Sequence, residues 1–236
     1  MNKKFELPLC DQCHSRIHSV FGDLKDSDVK SLNENKCGNI YKKGQVLFYE
    51  GNKPTGLFCV NKGKIKTYRI NADGKEQIIR LAKEGDVLGY SSLISGDLYS
   101  SSAAVIEDAI ICYIPRNVFL NLLDSNTTFS MKMIRLLSHD LKSSEDRVVN
   151  LAQNTVRERL AETLLMLEEF GGTENDGKTL RTSLSREEIA NIVGTATETT
   201  IRLLSEFRSD GLIELEGKRI KIVNRGLLLK AANVED

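Results

Sequence analysis

The chain has 236 residues, of which 33 are basic and 33 acidic, so its formal net charge is zero. This balance excludes a strongly basic protein that coats nucleic acid without specificity, but it leaves room for a small, specific DNA site. No apolar run approaches the roughly 20 residues of a membrane-spanning helix. The start, MNKKFELPLC, lacks the apolar region of a signal peptide. We therefore expect a soluble, cytoplasmic protein with no membrane partner.

The five cysteines are an odd number, and a reducing compartment disfavours a disulfide framework. Metal binding and inert burial are the remaining roles. Cys10 and Cys13, in LCDQC, have a spacing that suits two thiolate ligands of one metal centre. CxxC pairs are also common without any metal. We treat residues 1–38 as a separate, cysteine-bearing segment.

Residues 40–115 contain short β-rich runs separated by glycines. VNKGKI and INADGKE have the composition of hairpin turns. Many short strands at regular spacing predict an antiparallel barrel or jelly roll, which we place at residues 39–125. Cys59, in GLFCVN, is interpreted as a small apolar core residue, and Cys112, in IICYIP, could be another.

Residues 117–170 have helical texture, with neither Gly nor Pro. Within residues 126–153, apolar positions alternate by three and four, a heptad pattern that predicts a two-chain coiled coil. A helix packed on its own barrel is the alternative. The small polar Ser144 weakens the pattern, so dimerisation is expected to be adjustable. The predicted seam consists of Ile134, Leu137, Leu141, Ser144, Val148 and Leu151.

Residues 154–236 read as a winged helix-turn-helix after a loop at 168–179. Ser185 and Glu188 have capping-box spacing, and Gly194 ends that helix with a tight turn. A second helix follows, and LIELEGKRIKIV predicts a two-stranded hairpin. The predicted fold class is therefore α+β, with a β jelly roll, a long dimerisation helix and a winged helix-turn-helix.

The stretch GTATETTIRLL, which opens the second helix, places polar residues where better helix formers would be expected. Glu198 and Arg202 are four residues apart and so lie on one face. Arginine can donate two hydrogen bonds to guanine, and glutamate can accept one from cytosine. Threonines contact phosphates or thymine methyl groups. The alternative is a solvated Glu198–Arg202 surface pair. The predicted threonine contacts are Thr195, Thr197 and Thr199.

With these motifs the chain resembles the CRP/FNR family of bacterial transcription regulators over about residues 10–230. KKGQVLFYEGN, GKIKTYRINADGKEQII, GDVLGYSSL and SREEIANIVGTATETTIRLLSEFRSDGLI occur in the order of the family's motifs. The resemblance implies that the jelly roll is a sensor domain related to cyclic nucleotide-binding domains. It further implies a homodimer on a palindromic operator, with RNA polymerase as a further partner. It also implies that Glu198 and Arg202 are the family's base readers. Ile201 stands where the FNR branch often has serine.

The cyclic-AMP branch of that family holds its nucleotide with a Glu and an Arg-Ser pair. Here Tyr90, in GYSSL, stands at the Glu position, followed by Ser91, and Ser100 and Ser101 stand at the Arg-Ser positions. Without a guanidinium a bound phosphate loses its bidentate, charge-assisted contact. The resemblance therefore argues against cyclic AMP. The serine-rich run could still bind another small anion.

The FNR branch holds a [4Fe–4S] cluster with three N-terminal cysteines and one in the barrel. Cys10, Cys13 and Cys112 match three of these, whereas Ser19 occupies the remaining position. Cys37, His18 and His14 are the candidate replacements. A cluster-free thiol switch, a zinc ion using His14 or His18, and haem or another small ligand in the barrel remain open alternatives.

Nothing in the chain resembles a nucleophile elbow, a phosphate loop or a paired-acid site, so an enzyme is not expected. From a different class, the alternative is a small-ligand sensor module with no DNA-binding role. The predicted wing and the Glu198/Arg202 pair argue against that alternative.

Overall fold

The computed structural model describes residues 7–182 and 184–233. The start of the predicted cysteine-bearing segment and the last three residues of the predicted DNA-binding domain lie outside this part. The chain divides into two compact units, residues 1–69 with 79–142, and residues 70–78 with 143–236. Within the described ranges no helix is long and apolar enough to cross a membrane.

Antiparallel strands dominate the first half of the chain and helices the second, which confirms the predicted α+β class. In chain order the elements are α1 (His14–Ile17), α2 (Asp26–Asn35), β1 (Cys37–Tyr41), β2 (Val46–Phe48), β3 (Gly56–Ile70), β4 (Glu76–Ala82), β5 (Val87–Leu88), α3 (Tyr90–Ser95), β6 (Ser102–Pro115), α4 (Arg116–Ser125), α5 (Thr127–Gln153), α6 (Val156–Gly171), α7 (Arg186–Val193), α8 (Thr197–Ser209), β7 (Ile213–Glu216), β8 (Arg219–Ile222) and α9 (Arg225–Ala231).

The sheet of the first unit is built around β6, which pairs antiparallel with β1, β2 and β3. The hairpin expected at VNKGKI is wrong, because β3 runs through it without reversing. Its register against β6 shifts between Val60 and Ile65. Gly63 has φ +94°, and a Cβ there would lie 2.5 Å from the Asp108 carbonyl oxygen. A β-bulge thus uses the residue types of a turn.

The hairpin expected at INADGKE is confirmed between β3 and β4. The Asn71 side-chain oxygen accepts hydrogen bonds from the backbone amides of Asp73 and Lys75. This side chain therefore closes the turn in the way typical of asparagine.

The two faces of the sheet carry separate apolar clusters. Alternate residues of a strand point to opposite faces. Phe58 of β3 and Ile111 of β6 belong to the inner cluster, whereas Leu57 and Ile114 belong to the outer one. The outer cluster is completed by side chains from the N-terminal segment and from α4 and α5, including Phe21, Leu32, Phe119, Phe129 and Met133. The sheet is therefore buried on both faces.

The second unit has the predicted helix-turn-helix and wing. Ser185 and Glu188 form the predicted capping box at the start of α7. Gly194 has φ +75°, a conformation that glycine adopts without steric cost, and it ends that helix. Strands β7 and β8 pair antiparallel around the expected turn at Gly217 and Lys218.

Candidate functional site

Helix α8 carries five of the six residues predicted to contact DNA, and three of them are exposed. Thr195 lies in the turn before it, and no side chain caps its amino end at Ala196. Thr197 and Thr199 are half-buried, whereas Glu198, Ile201 and Arg202 are exposed. The amino-terminal turns therefore present polar atoms to solvent at the positive end of the helix dipole, where negative charge is favoured.

The opposite side of α8 is anchored in the domain core. Leu204, Phe207 and Thr200 are at most 1% exposed, and the Thr200 hydroxyl donates to the Ala196 carbonyl oxygen. The guanidinium of Arg157 lies 4.6 Å from the centre of the Phe207 ring. These contacts determine which side of the helix faces outward.

Glu198 and Arg202 do not pair with each other in the part of the chain that the structure describes. Arg202 Nη1 instead contacts Glu206 Oε1 at 2.5 Å, one helical turn further on. Exposed ion pairs of this kind contribute only ~0.3–0.5 kcal/mol. A stronger contact to DNA could therefore replace the Arg202–Glu206 pair.

Arg186 joins the first helix of the motif to the wing, a contact that sequence reasoning missed. Its Nη2 donates to the Gly217 carbonyl oxygen at 2.9 Å. The only sequence feature that could have indicated this contact is the arginine directly after the N-cap Ser185. The contact joins the wing turn to the start of α7.

The predicted dimer seam lies on α5 and is largely exposed in the single chain. Ile134, Leu141, Val148 and Leu151 are 52%, 62%, 66% and 46% exposed. Leu137 packs partly against the outer apolar cluster, and Ser144 is exposed. A row of exposed aliphatic side chains at heptad spacing is suited to burial against a second copy.

Four cysteine thiols line one cavity of about 40 Å³ on the outer side of the sheet. They are Cys10 and Cys13 from the N-terminal segment, Cys59 from β3 and Cys112 from β6. From the sequence alone, Cys59 is predicted to be a small apolar core residue. The sequence feature that could have indicated a role in the site is the position of Cys59 in a predicted strand. Pairing of that strand with the strand of Cys112 would place the two cysteines side by side.

The other predicted ligands do not line this cavity. Cys37 is exposed and pairs with Tyr113 across β1 and β6. It therefore shares the sheet face of Tyr113, opposite to that of Cys112. His14 and His18 are exposed, and their rings pack against each other 5.3 Å apart.

Hydrogen bonds hold the N-terminal cysteines at the cavity. The Cys10 amide donates to Asn33 Oδ1 at 2.7 Å, and Arg16 Nε donates to the Cys10 carbonyl oxygen at 2.7 Å. Asn61 Nδ2 donates to Cys13 Sγ, and Lys36 Nζ donates to Cys10 Sγ, both at 3.1 Å. Polar contacts from within the segment and from Asn61 of β3 thus position it, and the thiols of Cys10 and Cys13 both have N–H donors.

Burial raises the pKa of the Cys112 thiol to about 11 and that of Cys59 well above its ordinary value. Burial thus favours the protonated thiol over the thiolate at both residues. Because the thiolate is the reactive form, a thiol switch at these two residues would be slow.

Four cysteine side chains are a donor set that either a [4Fe–4S] cluster or a zinc ion can use. Zinc requires its ligands to converge on one point, with Zn–S distances of about 2.3 Å. Among residues 7–182 and 184–233, no three His, Cys, Asp or Glu side chains are arranged to hold a single metal ion. The thiols surround a cavity instead, and four cysteines are the usual ligands of a [4Fe–4S] cluster.

The predicted small-ligand residues do not line the cysteine cavity. Tyr90 is buried at the start of α3, and its hydroxyl donates to Asp140 of α5. Arg80 Nη1 lies 2.8 Å from the same hydroxyl and 3.2 Å from Asp140 Oδ2. Ser91 and Ser100 are exposed, and Ser101 is half-buried. Tyr90 therefore connects β4, α3 and the long helix.

Replacing Tyr90 with phenylalanine is expected to lower the free energy of unfolding by about 1–2 kcal/mol, because the hydroxyl bonds to a carboxylate. Urea unfolding followed by circular dichroism measures this loss. Tyr49→Phe, at an exposed tyrosine, is the matched control and should unfold like the unmodified chain. Equal stability of all three proteins would contradict a structural role for the Tyr90–Asp140 bond.

Comparisons with known proteins agree with this architecture. Residues 39–126 match the cyclic nucleotide-binding domain family, and residues 158–231 match the Crp-like helix-turn-helix domain family. The fumarate and nitrate reduction regulatory protein of Vibrio cholerae is 31% identical over 227 residues, which is 95% of this chain and 90% of that protein. Electron transport regulator A of Shewanella oneidensis is 33% identical over 184 residues, covering 78% of this chain and 73% of that protein.

Solved structures share the fold. FixK2 from Bradyrhizobium japonicum superposes with a TM-score of 0.76 at 23% identity, covering 85% of this chain and 99% of that chain. A CRP/FNR-family regulator from Eubacterium rectale superposes with a TM-score of 0.75 at 20% identity, covering 91% and 97%.

A β-sheet domain, a long helix and a winged helix-turn-helix of these families define a dimeric, DNA-binding transcription regulator, which is not an enzyme. The chain belongs to the CRP/FNR family of transcription regulators. The predicted family and its DNA-binding function are thereby confirmed.

Proposed function

We propose that this regulator responds to oxygen or redox state through an iron–sulfur cluster held by Cys10, Cys13 and Cys112. The observation that carries this proposal is that these thiols, from two distant parts of the chain, line one cavity. When bound, a [4Fe–4S] cluster supplies a redox-active group that is sensitive to oxygen. Cys10 and Cys13 would then tie the N-terminal segment to Cys112 on β6.

The N-terminal segment is also packed against the start of the long helix. Phe21 stacks on Phe129 of α5 with ring centres 5.3 Å apart, and Asp23 pairs with Lys132 of α5 at 2.6 Å. Asp28 accepts a hydrogen bond from Asn126, just before the helix begins. Movement of the segment would therefore alter the packing of α5 in the first unit.

This packing supports a route from signal to DNA. A shift of α5 along the Ile134–Leu151 seam would change the spacing of the two recognition helices of a homodimer. That spacing must match palindromic half-sites about 34 Å apart. Within this scheme residues 1–38 and 39–125 sense the signal, residues 126–153 dimerise, and residues 154–236 bind DNA.

The names of the relatives suggest the genes concerned. Because those proteins regulate fumarate and nitrate reduction or electron transport, we assign this chain to genes of anaerobic respiration. RNA polymerase is the second partner expected at such promoters. A regulator of bacterial DNA works in the cytoplasm.

The proposal is tested by purifying the protein without oxygen and measuring its visible spectrum, iron and acid-labile sulfide. We expect a brown protein with about four irons and four sulfides per chain, which loses its colour in air. Cys37→Ser, at the exposed cysteine, is the control and should keep the same iron and sulfide. A colourless, iron-free protein that still binds its operator would refute the cluster.

A further inference from the structure

We propose that Cys59 supplies the fourth thiolate of the cluster site, in the role that the resemblance assigns to the position of Ser19. This inference rests on the proposed function, because it concerns the ligands of the same site. The fourth ligand would then lie on the sheet, whereas the resemblance places it in the N-terminal segment.

Strand pairing places Cys59 beside Cys112. The two residues are direct partners in the antiparallel β3–β6 pair. Directly opposite residues point to the same face, with Cβ atoms about 4.5–5.5 Å apart. Their neighbours Leu57 and Ile114 belong to the outer apolar cluster, so both thiols lie on the side of the sheet covered by Cys10 and Cys13.

Ser19 is occupied by local hydrogen bonds, although it also lines the cavity. Its hydroxyl donates to the Arg16 carbonyl oxygen at 2.7 Å and accepts from the Phe21 amide at 3.1 Å. A serine hydroxyl has one proton to donate. In this chain the side chain therefore stabilises the turn that carries the segment past the cavity.

The arrangement divides the four thiols evenly between two supports. Cys59 and Cys112 stand on paired strands, whereas Cys10 and Cys13 lie on a segment positioned by Asn33 and Arg16. Ligands on paired strands are held more rigidly than ligands on a loop. Half of the site is therefore held by paired strands of the sheet.

The test compares three variants after anaerobic reconstitution with ferrous iron and sulfide. Cys59→Ala is expected to lose at least about tenfold in iron retained after desalting, as Cys10→Ala does, whereas Cys37→Ala retains the load of the unmodified chain. Circular dichroism and urea unfolding of the metal-free proteins show whether Cys59→Ala still folds. Alanine suits this test because it is small, apolar and accepted in buried strands.

A rescue variant separates ligation from folding. The double variant Ser19→Cys/Cys59→Ala restores a fourth thiol on the cavity wall at a different position. We expect it to regain iron, sulfide and the visible absorption of the unmodified protein. Recovery of the spectrum by a thiol moved to another element is not expected if Cys59 only fills space.

The outcomes distinguish this inference from the proposed function. An unmodified chain that binds no iron and sulfide would overturn the cluster itself. A cluster in the unmodified chain, with the same iron, sulfide and spectrum in a folded Cys59→Ala protein, would overturn only the role of Cys59. A Cys59–Cys112 disulfide found by mass spectrometry in the anaerobically loaded protein would overturn it as well.

Discussion

Leu141→Glu should convert the dimer to monomers and remove operator binding. The Leu141 side chain is 62% exposed in the single chain and central in the heptad row. Loss of one buried leucine per protomer costs the dimer about 3–6 kcal/mol, which raises its dissociation constant roughly 100- to 10,000-fold. Two facing carboxylates add repulsion. Sedimentation velocity and binding to a palindromic duplex measure the two effects.

His139→Glu is the matched control for this experiment. It introduces the same side chain two positions away, at an exposed site outside the heptad row. We expect this variant to remain dimeric and to bind DNA. If Leu141→Glu also remained dimeric, the dimer would have to use another surface than the Ile134–Leu151 seam.

Arg202→Ala should remove discrimination at one base pair of each half-site. A bidentate arginine–guanine contact contributes about 1–3 kcal/mol, or roughly 5- to 150-fold in the ratio of affinities for the right and wrong base. The Glu206 pair lost with Arg202 is exposed, so the domain should fold normally. Competition binding with operators substituted at single positions measures the ratio.

Arg208→Ala separates base reading from overall charge. Arg208 is exposed in the last turn of the same helix, away from its amino end. Its removal changes the net charge equally, but the preference among substituted operators should stay the same. Unaltered preference in Arg202→Ala would assign base reading to other residues of α8.

Local sequence determined the elements that depend on neighbouring residues. The capping box at Ser185, the turn at Gly194 and the hairpin at Gly217 follow from hydrogen bonds and backbone angles within a few residues. The heptad row on α5 follows from helical periodicity. These features can be predicted from the sequence because the interactions that form them lie within a few residues along the chain.

Local sequence was misleading where a long-range contact decided the conformation. Gly63 in VNKGKI suggested a chain reversal, but the close approach of Asp108 and Ala109 on β6 makes it a bulge in a continuous strand. The residues of this stretch permit either structure.

The cysteine site shows the same division. The sequence by itself determined Cys10, Cys13 and Cys112 as candidate ligands, because residue spacing and family resemblance can be seen without a structure. Only the tertiary structure shows that Cys59 lines the same cavity and that Cys37 lies on the other face of the sheet. The physical reason is strand register: it puts Cys59 opposite Cys112 on one face of the sheet and Cys37 opposite Tyr113 on the other.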